Sequence, residues 1–113
     1  MSRVEAKGSR GSWFATLPDG TALPCVHRHW RKGMDYDDPF AVPGDPIWDE
    51  FIAAIDRERR VILTDDEVLA EATEHTPPSF RRKSYIAVFA VEGVRVEGRH
   101  LRFRFADRLQ ELM

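Results

Sequence analysis

The apolar positions of this chain recur with more than one spacing, and each spacing predicts a different element. Trp13-Phe14-Ala15-Thr16-Leu17 and Ala22-Leu23-Pro24-Cys25-Val26-His27 are two strand-like runs around Pro18-Asp19-Gly20-Thr21. Pro presets φ at a turn's second position and Gly accepts the left-handed conformation that closes it, so the runs should pair as a hairpin. Pro24 has no N–H to give a ladder and predicts an edge position or a bulge. A polar loop, Arg31 to Gly44, follows. Beyond it Ile47, Trp48, Phe51, Ile52 and Ile55 fall on one stripe of a helix, with Asp49, Glu50, Asp56 and Arg57 opposite. Asp45 suits the N-cap and Pro46 the first helical position, where its missing N–H is no loss. The spacing predicts a helix over Asp45–Glu58.

Arg60-Val61-Ile62-Leu63 has the composition of a short buried strand. Thr64 with Glu67 three residues on has the spacing of a capping box and predicts a second helix, Asp65 to Glu74, stopped by Thr76-Pro77-Pro78. Ser84 to Val91 is apolar on both faces, as a central strand should be. Gly93 should break or bulge it before Val94–Glu97. Gly98-Arg99 can make a two-residue turn into a returning strand, His100–Phe105. A short helix, Ala106 to Met113, with Leu109 and Leu112 inward, is expected to close the chain. The fold class expected is therefore α+β: a small, curved, mainly antiparallel sheet or partly open β-barrel with one main amphipathic helix and two short ones. Residues 1–11, polar and Gly/Ser-rich, read as a flexible N-terminal tail, and 12–113 as a single domain.

A turn at Gly98-Arg99 fixes a register. Glu97 pairs with His100, Val96 with Leu101, Arg95 with Arg102, and Val94 with Phe103. The alternation supports it, because a slip of one residue would bury the arginines. Arg95, Arg102 and Arg104 then share the outward face. Like charges directly opposite each other on a sheet are mildly destabilising, and an anion bridging the guanidinium groups would relieve this. Arg81 and Arg82, just before the central strand, could extend the positive surface, with Tyr85 or Trp30 to stack on bases.

Charge adds a second layer. Residues 1–32 carry six Lys/Arg against two acids, residues 33–78 thirteen acids against three bases, and residues 79–113 eight bases against four acids. The net charge of −2 conceals this sorting. A polarised surface is an argument about partners. It lacks the strongly basic balance of many nucleic-acid-binding domains, so contact with nucleic acid would be confined to one face.

Chemistry is sparse. Cys25, His27 and His29 alternate and would point to one side if the strand ran that far. Two His at that spacing can ligate zinc, with a third ligand from Asp35, Asp37, Asp38, His75 or His100. Cys25 is the one cysteine, which excludes an internal disulfide and, with no secretory leader recognisable at residues 1–12, favours the cytoplasm. The longest apolar run, Tyr85 to Val91, is seven residues, far below the ~20 of a membrane span. No phosphate-cradling loop, CxxC pair, nucleophile elbow or HExxH is present, and no catalytic residue or cofactor is assigned. The leading expectation is a non-enzymatic binding module whose basic face (Arg95, Arg102, Arg104, Arg81, Arg82) engages an anionic partner, nucleic acid first. One alternative is a metal site, with or without catalysis, on His27 and His29. Another is a protein-interaction or self-associating module in which the acidic Asp35–Glu50 region meets the basic face of another chain.

Overall fold

The computed structural model describes residues 3–9 and 12–113. The first hairpin forms as expected: β2 (Phe14–Thr16) pairs with β3 (Ala22–His27), Phe14 opposite Pro24. Pro24 lies one residue before β3 begins its second ladder, so its missing N–H interrupts nothing. β1 (Lys7–Ser9) adds to the free side of β2, which places part of the expected tail in a strand. Met1, Ser2, Arg10 and Gly11 of that segment lie outside the described residues.

After β3 come a 3-10 turn (Arg28–Trp30), a small ribbon of β4 (Arg31–Lys32) and β5 (Asp35–Asp38), and helix α1 (Pro46–Glu58). Asp45 Oδ1 accepts the Ile47 N–H at 3.1 Å and Pro46 takes the first turn, as the sequence predicts. Arg59 ends the helix in the left-handed conformation (φ 54°). The chain then runs as β6 (Arg60–Ala70), parallel to β3 with Cys25 beside Ile62. Parallel neighbours need a long crossover, and the segment carrying α1 supplies it.

β7 (Ser79–Glu97) and β8 (His100–Glu111) complete an eight-stranded mixed sheet in the order β1-β2-β3-β6-β7-β8-β5-β4, antiparallel except for β3–β6. Alternation divides its apolar residues between two faces. Val61, Leu63, Phe89 and Phe105 pack with Phe51, Ala54 and Ile55 of α1, whereas Ile62, Val88, Leu23 and Cys25 pack with Ala6 and Leu112. No helix among the described residues is long and apolar enough to cross a membrane.

The structure corrects the expected barrel and both of the expected short helices. The ladders run edge to edge as an open sheet and do not close into a curved, partly open barrel. The two hairpins do not adjoin, because β6 separates them; an isolated parallel bridge, Val4–Leu112, ties the segment before β1 to the end of β8. The helix expected at Asp65–Glu74 is the outer half of β6. Thr64 and Glu67, spaced like a capping box, serve the sheet instead: the Thr64 hydroxyl lies 3.2 Å from the Val26 carbonyl, and Glu67 accepts from Arg81 on β7. The helix expected at Ala106–Met113 is the end of β8, because β7 is long enough to pair with Arg108, Gln110 and Glu111. Leu112 is buried there, but Leu109 is exposed.

Candidate functional site

The Gly98-Arg99 turn holds the predicted register. Glu97 faces His100, Val96 faces Leu101 and Arg95 faces Arg102. Gly98 supplies the positive φ (64°) that the turn requires. The register then shifts: Glu92, not Gly93, meets Arg104, so Gly93 (φ 67°) and Val94 form the bulge that the glycine predicts. Val94–Phe103 pairing is lost with it.

Of the five arginines expected on one basic face, Arg95, Arg102, Arg81 and Arg82 have carboxylates of their own, and Arg81 and Arg82, adjacent on β7, point to opposite sides of the sheet. Arg95 Nε donates to Glu97 Oε1 at 2.6 Å. Arg102 lies 3.3 Å from Asp37 and 3.6 Å from Glu97, with its Nε–H off hydrogen-bond alignment. Arg81 and Arg82, on β7 beside β6, hold Glu67 and Asp66. Arg104 is exposed, with Asp35 opposite on β5. Charge sorting along the chain thus has an internal use. The acidic β5 lies against the basic β8, and the acidic half of β6 lies against Arg81-Arg82-Lys83.

β3 ends at His27, so His29 falls on the 3-10 turn and is exposed. Both imidazoles contact the Phe80 ring, at 4.3 and 5.5 Å between centroids. Among the described residues no group of three or more His, Cys, Asp or Glu side chains is placed to hold a metal ion. His27 Nδ1 is hydrogen-bonded instead to Asp66 Oδ2. The Asp66 side chain is only 2% exposed and also receives Arg82 Nε–H at 2.6 Å, with the Thr64 hydroxyl 2.8 Å away. Burial would push its carboxyl up, but the bonds from His27, Thr64 and Arg82 hold it below the ordinary carboxylate value. An ionised Asp66 can only accept, so His27 Nδ1 is the donor in this bond.

His27 borders a cavity of about 170 Å³ that sequence reasoning missed. Trp13, Trp48 and Phe51 form one wall, packed edge to face with centroids 4.9–5.8 Å apart. Trp30, Phe40 and Phe80 form the other. Of its lining residues Tyr36, Asp38, Cys25 and Phe51 are buried, and Ser12 and Pro77 are exposed. The hydroxyl of Tyr36 accepts the His27 backbone N–H at 3.3 Å. Burial raises its phenol well above the usual value and keeps it neutral. Burial likewise raises the Cys25 thiol to about 11, which argues against a nucleophile. Asp38 Oδ1 accepts the Phe40 N–H at 2.9 Å, and burial pushes the Asp38 carboxyl upward.

The six rings come from five separate stretches of chain, brought together only by the fold. Comparison supplies no further guide: no family model, curated protein or solved structure matches this chain.

Proposed function

We propose that this protein is a binding module for a small organic ligand seated in the aromatic pocket. The observation that carries this reading is the convergence of Trp13, Trp30 and Trp48, all incompletely buried, on one cavity with His27, Tyr36 and Asp38. Concave, mostly apolar sites with a few converging polar groups are the usual form of ligand pockets. The volume limits the occupant, since a cavity of ~150 Å³ accepts benzene. One ring or one branched headgroup fits; a whole nucleotide does not.

The test is titration with ring-sized probes (indole, phenol, benzylamine) followed by NMR of the three indole N–H resonances. Saturable shifts of all three, abolished in Trp48→Ala, are expected. If no probe moves them at millimolar concentration, the pocket is not a binding site.

A second reading, an anionic partner such as nucleic acid on the basic face, rests on the Arg95–Arg102 juxtaposition and exposed Arg104. Binding there would have to exchange existing ion pairs for phosphates, which is why the pocket is preferred. Oligonucleotide affinity that falls steeply with salt and is lost in Arg102→Glu supports this second reading. Absent or salt-insensitive binding removes it.

A further inference from the structure

The pocket contains a carboxylate that the protein leaves without a cation. Asp38 is 6% exposed, and the Phe40 N–H is its hydrogen-bond donor. Among the described residues no Lys, Arg or His side chain forms an ion pair with it. The imidazoles whose charge reaches it, His27 and His100, are each bonded to another carboxylate, Asp66 and Asp37. Arg82 is likewise committed to Asp66. A carboxylate withdrawn from water is stabilised by hydrogen bonds or by an opposite charge, and here the second is missing.

The surroundings restrict which cation could supply it. A hard metal ion needs six or more oxygen ligands, and among the described residues no three His, Cys, Asp or Glu side chains are grouped to hold one. A primary ammonium or guanidinium group needs several acceptors in addition to a charge partner, whereas the polar lining besides Asp38 is limited to Ser12, Cys25, His27 and Tyr36 and the rest is aromatic rings and prolines. An ammonium whose nitrogen is methylated presents only C–H surface and needs no acceptor. Ring faces attract it through their quadrupole, most strongly Trp.

Resting on the reading of the cavity as a binding pocket, we propose that its ligand is an alkylated ammonium group, held among Trp13, Trp30, Trp48 and Phe80 with its charge toward Asp38. A trimethylammonium headgroup suits the volume of about 170 Å³. Such a headgroup can belong to a free small molecule or to a methylated lysine side chain, and the chemistry of recognition is the same.

Calorimetric titration at constant ionic strength separates these cases. Choline and N-trimethyllysine amide are compared with 3,3-dimethylbutanol, in which carbon replaces the charged nitrogen. At least one cation should bind about tenfold or more tightly than the neutral isostere, and the tighter of the two cations identifies the source. Asp38→Asn keeps the acceptor for Phe40 and should abolish the preference while the isostere still binds. If wild-type protein binds the isostere as tightly as the cations, the cation assignment is wrong and the pocket reading stands. If neither series binds and the ring probes above also leave the indole resonances unmoved, both fail. If the ring probes bind but no cation does, the cation assignment alone is overturned.

Discussion

Arg82 stands opposite Asp66 on the β6–β7 ladder, and its Nε–H donates to one oxygen of the carboxylate whose other oxygen holds His27. One buried acid therefore ties the basic strand, the central parallel pair and a pocket-lining imidazole together. Removing it leaves Arg82, at 17% exposure, short of its counter-charge. Asp66→Ala should destabilise the fold by about 3 kcal/mol. The neighbouring Arg81–Glu67 pair is largely exposed, so Arg81→Ala should change stability by less than ~0.5 kcal/mol. Urea denaturation of the two variants distinguishes them, and equal small effects would refute the role given to Asp66.

Asp66 and Asp38 should pull the pH dependence of stability in opposite directions. The folded Asp66 carboxyl titrates below its ordinary value of 3.8. Its contribution is complete above that value and is lost as pH falls through the folded one. Asp38 is raised above 3.8, so the folded state holds its proton more tightly than the unfolded state. Stability from this group is full below 3.8 and declines as pH rises through the folded value. Asp38→Asn should therefore be more stable than the wild type at pH 7 and lose this advantage in acid. Thermal unfolding across pH 3–7 measures it; a variant less stable at neutral pH would show that the carboxylate has a partner.

Cys25 should be inert in the native protein. Its thiol is buried and its pKa raised to about 11, so thiolate is scarce at pH 8. Ellman's reagent should react only at the rate of opening and rapidly in denaturant. Fast native labelling would contradict the burial.

Asp45→Ala tests the helix start. It removes the acceptor for the Ile47 N–H and should cost about 1 kcal/mol in denaturant unfolding. An unchanged midpoint would mean that the proline alone suffices to begin the helix.

What was legible beforehand was local. The Asp45-Pro46 helix start, the first hairpin and the Gly98 turn each rest on residues a few positions apart whose backbone preferences leave little choice. The second half of β6 was not legible, because Thr64 and Glu67 have the same spacing whether they cap a helix or bond to neighbouring strands. The acids at 65–67 and the bases at 81–83 were the available signal, since antiparallel pairing sets one against the other. The candidate site was the least visible part. His27 could be singled out, but as a metal ligand beside His29, and its partner Asp66 is remote in sequence. Trp30 could be named only as a ring of uncertain exposure, and nothing local joins it to Trp13, Trp48 or Phe80.

The parallel pairing of β3 with β6 has a consequence for synthesis. A chain leaving the ribosome releases Trp13, Trp30 and Trp48 before β6 arrives to pair with β3, and β7 delivers Phe80 later still, so for a time the indoles are unsupported by the sheet and the wall of Trp30 and Phe40 is incomplete. Unfinished chains should be recognised by chaperones at that stage, and a ligand of the pocket could rescue only completed ones.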